Sequence, residues 1–228
     1  MVPSSRPRAL RLAELLGRAL GTTALDLLAP SRCAGCGTEV RARAIFCAPC
    51  AVTLERAGGT AGEHAPFLYG GALAQAIAAC KYGGRPELAR ALSHLLLTEI
   101  EDLRAQHFTV AVPVPLHPLR LVERGYNVPA LLLGPLARAL AIPHSTGQLR
   151  RVRPTAQQAS LPRVARIENV RGAFVVKRAA DRPFTGARVL LLDDVYTTGA
   201  TLSACADALH EAGAAVVVTR ALAVSEST

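Results

Sequence analysis

Residues 189–201 read VLLLDDVYTTGAT, and no other stretch of the chain limits its fold so tightly. Residues 188–192 are apolar after the first, the pattern of a strand covered on both faces within a parallel sheet. Asp193 and Asp194 close that run, and the chain then turns through Val195, Tyr196, Thr197, Thr198, Gly199, Ala200 and Thr201 into a helical stretch over 201–211 ended by Gly213. Such a turn lies at the carboxyl edge of the sheet, where open α/β folds bind ligands. Backbone amides from Tyr196 to Thr201 can converge there on a phosphate at a helix N-terminus, with threonine hydroxyls as further donors. Gly199 permits close approach of the backbone. Asp193 and Asp194 are acceptors suited to the vicinal hydroxyls of a ribose. An ordinary strand with a polar turn is the competing reading, but paired acids at the end of a buried strand are costly unless something uses them.

The rest of the chain supplies the sheet and helices this motif needs. Helices are expected over 73–80, over 86–105 with Leu88, Leu92, Leu95, Leu96 and Ile100 on one face, and over 129–141 with Pro129 at its start. Residues 109–113, 174–176 and 215–219 read as short strands. Alternating strands and helices predict an α/β fold, a parallel sheet flanked by helices. Residues 8–28 read as an amphipathic helix through Leu10, Leu15, Leu16 and Leu20. Residues 1–57 form an N-terminal element and 58–228 the main domain, with 58–105 a candidate hood or set of accessory helices.

Cys33, Cys36, Cys47 and Cys50 form two C-x2-C pairs ten residues apart. Four thiolates in two close pairs suit tetrahedral Zn²⁺, and Gly35 and Gly37 allow the knuckle that turns the sulfurs inward. The gap is shorter than the common spacing for this pattern, so the connection must be a compact hairpin. Two disulfides or free thiols are the alternatives, and a reducing cytoplasm argues against the disulfides. Four ligands close the coordination shell, so the site is expected to be structural. Cys205 reads as a small buried hydrophobe and Cys80 as a residue with no general base beside it.

Half of the residues are apolar and 19% charged, which excludes a disordered chain. No apolar run reaches the ~18 residues of a membrane span, and Glu14 and Arg18 break the one N-terminal run that resembles a leader. A cytoplasmic location is expected. The net charge of +9 favours phosphorylated ligands or nucleic acid. All basic residues except Lys81 and Lys177 are arginines, a bias that genome composition explains as well as phosphate binding does.

The segment 189–201 closely resembles the signature of type I phosphoribosyltransferases. That resemblance implies 5-phosphoribosyl 1-diphosphate as ligand, with Mg²⁺ on its diphosphate. Val112-Pro113-Val114-Pro115-Leu116, with Arg120 and Arg124-Gly125-Tyr126-Asn127 after it, sits where those enzymes carry a diphosphate loop. Thr155, Gln158, Leu161, Arg166, Asn169 and Ala173-Phe174 sit where they carry a mobile hood. With the cysteine pairs and Lys81-Tyr82-x-Gly84, the order of motifs is similar to the ComF family of competence-associated proteins over nearly the entire chain. The resemblance assigns Asp193 and Asp194 to the sugar, Thr197 to Thr201 to the 5-phosphate, and Arg120, Arg124 and Lys81 to the diphosphate. One departure is that the family's Arg-Gly-Phe-Asn-Gln-Ala reads Arg-Gly-Tyr-Asn-Val-Pro here, so the carry-over stops at Asn127.

Plainer readings stand beside these assignments. Arg120 and Arg124 suit a solvated helix, Lys81 a surface beside a Gly-Gly turn, and Gln158, Arg166 and Asn169 ordinary loop roles. Two functions follow from the resemblance. One is transfer of phosphoribose to an acceptor that the sequence does not name. The other is a binding module that keeps the sugar pocket while handling single-stranded DNA during natural transformation, with a DNA-translocating ATPase as partner. Aromatic residues make up only 4% of the chain, so phosphate contacts rather than stacking would carry most DNA affinity.

Overall fold

The computed structural model describes residues 31–41, 44–154, 172–177 and 184–225. The expected helix over 8–28 and the hood residues Thr155, Gln158, Leu161, Arg166 and Asn169 lie outside them. In chain order the elements are β1 (Phe67–Leu68), α1 (Gly71–Tyr82), α2 (Glu87–Leu96), α3 (Ile100–Ala105), β2 (Val110–Pro113), α4 (Pro118–Arg124), α5 (Val128–Leu140), β3 (Leu149–Arg151), β4 (Phe174–Val176), β5 (Arg188–Tyr196), α6 (Ala200–Glu211) and β6 (Val216–Val224). Four strands form a sheet in the order β1-β6-β5-β2, every neighbouring pair parallel. β3 and β4 pair antiparallel as a separate two-stranded unit.

β5 organises the core because its apolar run faces both ways. Val189, Leu190, Leu191 and Leu192 are all 0% exposed. Alternation sends Leu190 and Leu192 into one cluster with Leu73, Ile77, Leu92 and Leu133 of α1, α2 and α5. Val189 and Leu191 enter a second cluster with Phe174, Phe184, Leu202 and Cys205. Burial of each such leucine contributes about 1.5–3 kcal/mol, so this strand has little freedom to slip in register.

β1 and β3 have no counterpart in the sequence expectation, and three expected elements differ in extent. The helix expected over 86–105 is split by a 3-10 turn at Leu97–Glu99. At this turn the Thr98 hydroxyl donates to the Leu95 carbonyl at 2.7 Å and accepts from Arg56 Nη1 at 3.0 Å. A side chain that occupies a helical carbonyl in this way competes with the regular ladder. β6 runs to Val224 rather than to residue 219, because the Arg220 guanidinium leaves the strand to reach the Glu63 carbonyl and the buried run Ala221, Leu222, Ala223, Val224 resumes. β5 likewise continues to Tyr196, paired with Val224, so the two acids lie inside the strand and not after it.

The cysteine segment docks on the start of α1. Ala72 N–H donates to Thr53 Oγ1 at 2.9 Å, which caps that helix from outside it. Contact is close enough that a Cβ on Gly35 would lie 2.8 Å from Ala72 Cβ and 3.2 Å from Cys50 Sγ. The segment is thus coupled through α1 to Lys81, two turns further on.

Candidate functional site

The carboxyl edge of the sheet gathers most of the residues singled out by sequence. Because neighbours on a strand face opposite ways, Asp194 points with Leu192 toward α1 and Asp193 points with Leu191 toward β3 and α6. Asp194 is 6% exposed and accepts Lys81 Nζ at 2.8 Å. Burial alone would lower the Lys81 ammonium, but the charge of Asp194 and its hydrogen bond more than offset that, and the net shift is upward. Lys81 is therefore the counter-ion of a buried acid, not a surface lysine.

Asp193 is in a different state. Loss of water around it, followed by repulsion from Asp194, pushes its carboxyl from 3.8 up to about 7. Lys81, the Asp194 N–H (2.8 Å from Asp193 Oδ1) and Arg151 pull the other way without cancelling the rise. Arg151 of β3 lies over the Phe174 ring at 5.5 Å, and burial lowers its own pKa. Sequence reasoning missed Arg151, whose place is set by the β3–β4 pairing rather than by any local pattern.

Past Tyr196 the chain makes the expected turn into a helix of twelve residues. Gly199 has φ +75°, and a Cβ there would lie 2.6 Å from Tyr196 Oη, so both backbone conformation and space demand glycine. Thr198 Oγ1 accepts the Ala200 N–H at 3.5 Å. The Tyr196 ring is held on its other side by His64, stacked at 4.0 Å with planes 5° apart. That contact spans the distance from residue 64 to residue 196 and has no sequence signature. The first turn of α6 follows directly on the Thr197-Thr198 turn, and the Ser203 N–H closes it on the Gly199 carbonyl at 2.8 Å.

The diphosphate-loop candidates divide. Arg124, the last residue of α4, sits with its guanidinium carbon 5.5 Å from the centre of the Tyr82 ring, next to Lys81. Arg120 is exposed and pairs with Glu123 at 3.1 Å, as the solvated-helix reading expects. Tyr126 replaces the family's phenylalanine and uses its hydroxyl, donating to the Cys80 carbonyl at 2.7 Å and so tying the end of α1 to the loop. Asn127 Nδ2 donates to the Val114 carbonyl at 2.9 Å. Val128, where the family commonly has glutamine, is 1% exposed and packs in the main apolar cluster.

The four cysteines converge as their spacing requires. Their sulfurs all lie within 4.8 Å of one another, and none is in a disulfide. Tetrahedral bonds of about 2.3 Å place sulfurs about 3.8 Å apart; Cys36 and Cys47 Sγ are 3.7 Å apart. Burial raises Cys33, but backbone N–H groups of Cys36, Cys47 and Gly35 outweigh it and bring that thiol down to about 6. Cys50 has no such donors, and burial with three neighbouring sulfurs pushes it up to about 12. An all-thiol tetrahedral set of this kind can hold a structural metal.

Comparison with known proteins places the chain. Against the DNA utilization protein YhgH of Escherichia coli (strain K12) it is 35% identical over 164 residues, covering 69% of this chain and 67% of that protein. Competence protein F of Haemophilus influenzae is 35% identical over 128 residues, 54% of this chain and 56% of that one. The chain belongs to the competence protein F family. Competence protein ComFC of Streptococcus pneumoniae is a more distant member, 29% identical over 160 residues, 70% of this chain and 67% of that protein. No protein-family model matches. Among solved structures, the purine phosphoribosyltransferase of Pyrococcus horikoshii Ot3 aligns over 60% of this chain and 77% of its own, at 18% identity and a TM-score of 0.38, too slight a likeness to carry an argument. Family membership and the all-parallel sheet with its cysteine element agree with the expected architecture. Among the described residues, no helix is long and apolar enough to cross a membrane.

Proposed function

We propose that this competence protein F relative binds 5-phosphoribosyl 1-diphosphate with Mg²⁺ at the carboxyl edge of the sheet and serves DNA uptake, contacting single-stranded DNA. The observation that carries the reading is the junction of β5 and α6, where two acids with different surroundings precede a glycine-dependent turn into a helix N-terminus. The 5-phosphate would sit on the turn Thr197 to Thr201 and the ribose hydroxyls on the two carboxylates, while Lys81 from the end of α1 and Arg124 from the end of α4 approach the diphosphate. Asp193 and Asp194 are hard oxygen donors of the kind Mg²⁺ takes, one or two carboxylates with the remainder from phosphates and water. Bound there, the cation would neutralise diphosphate charge. The four cysteines would hold Zn²⁺, a closed structural site.

If the ligand is turned over, the bond broken is that between C1 and the diphosphate oxygen, and the one formed joins C1 to an acceptor nucleophile. The protein's share would be to position the sugar and stabilise charge on the leaving group. Release of intact sugar after binding would mark a sensor, and product analysis with candidate bases distinguishes the two.

Ionisation of Asp193 supplies a test. Only the carboxylate attracts Mg²⁺ and accepts two hydroxyl hydrogens, so affinity for the diphosphate sugar should rise as pH passes upward through about 7. Calorimetric titrations between pH 6 and pH 8 should show a gain approaching tenfold, on the order of one pKa unit of linkage, and Asp193→Asn should flatten it. A pH-independent affinity in the parent protein would count against Asp193 as a ligand group.

A further inference from the structure

Tyr82 ends α1 and is 70% exposed, although large aromatics normally bury most of their surface. One residue earlier, Lys81 turns inward to Asp194. The exposed ring therefore stands at the rim of the proposed sugar site. The Arg124 guanidinium lies over it at 5.5 Å, within cation–π range. Beyond Arg124, α4 buries no residue at all and leaves Leu119 63% and Val122 84% exposed. Arg85 and Arg120 flank this corner, each held by its own acid, Glu87 and Glu123.

We propose that Tyr82 and Arg124 form a stacking platform for one base of a single-stranded DNA segment passing the rim of the site. An aromatic ring with a guanidinium beside it and an open face toward solvent is the arrangement that receives an unpaired base. Only a single strand offers that base face. The charge of +9 suits a polyanion. With aromatics at 4% of the chain, one platform adds a single stacked base to binding that is otherwise electrostatic. The inference rests on the DNA-contacting part of the proposed function and gives that contact a place.

The test measures fluorescence anisotropy of the full chain with a labelled oligothymidylate and with an abasic oligomer of equal length, over a range of salt. The parent protein should prefer the base-bearing strand by about fivefold or more, the effect of one stacked base. Tyr82→Ala should erase that preference while the salt slope stays the same, and Tyr82→Phe should keep it. Affinity of Tyr82→Ala for the diphosphate sugar, titrated in parallel, should stay within about twofold, so loss of the DNA contact and failure of the sugar site are read separately. The proposal is overturned if Tyr82→Ala retains the preference for bases. It is equally overturned if that variant changes only its sedimentation mass, which would make the corner a contact between copies of the chain.

Discussion

Removing the metal ligands is expected to destabilise far more of the protein than the cysteine segment itself. Replacing Cys33 and Cys36 by serine should abolish stoichiometric zinc and lower the thermal midpoint by about 10 °C or more. Structural zinc contributes about 10 kcal/mol or more to the folding of small zinc elements, far more than the few backbone hydrogen bonds that otherwise join the two halves of the cysteine segment. Its loss removes the Thr53 hydroxyl from Ala72 N–H, a cap of about 1 kcal/mol, and uncovers the start of α1 against which Gly35 packs. For a chain of this size, each kcal/mol moves the midpoint by roughly 2–4 °C, so losing the cap together with a few kcal/mol of packing reaches the stated shift. Metal analysis of the purified protein with a thermal melt checks both halves. An unchanged midpoint in a metal-free variant would show that the cluster is not a structural centre.

The second large effect is expected at Lys81. Lys81→Met keeps the aliphatic stem but leaves Asp194, 6% exposed, without its cation. An uncompensated buried carboxylate costs about 2–4 kcal/mol, whereas the intact pair gives much less than that in net stability. Lys81→Arg, which keeps the charge, should recover most of it. The cost should also depend on pH. Asp193 has a folded pKa of about 7, above its ordinary 3.8, so its contribution to stability is fully present below about 4 and is lost as pH rises through 7. Lys81 is one of the cations that restrain this rise, and without it the decline should steepen toward neutral pH. Chemical denaturation at pH 5 and pH 8 measures the difference between the two variants. Equal stability of Lys81→Met and the parent at both values would contradict a paired, buried Asp194.

What the sequence made legible was set by local periodicity. Val189 to Leu192 announced a doubly covered strand, Gly199 announced a close approach of the backbone, and the two C-x2-C pairs announced converging sulfurs, because each depends on residues close together in the chain. The helices over 73–80, 129–141 and 201–211 were legible in the same way to within two residues at each end, whereas the one expected over 86–105 is interrupted at Leu97–Glu99. What stayed hidden lies in long-range pairings. The stack of His64 on Tyr196, Arg151 facing Asp193 and Arg124 over Tyr82 depend on how separate elements meet. The difference between the two adjacent acids is of this kind as well. Sequence presents them as equivalent acceptors, while strand alternation gives Asp194 a lysine and leaves Asp193 near the pH at which it can switch.

The central claim concerns the sugar site at the end of β5, and calorimetric titration with 5-phosphoribosyl 1-diphosphate, with and without Mg²⁺, tests it most directly. The parent protein should bind, more tightly with the cation present. The double variant Asp193→Asn with Asp194→Asn should show no detectable binding while its melt remains cooperative. Undiminished affinity in the folded double variant would place the ligand elsewhere and remove the basis for the proposed function.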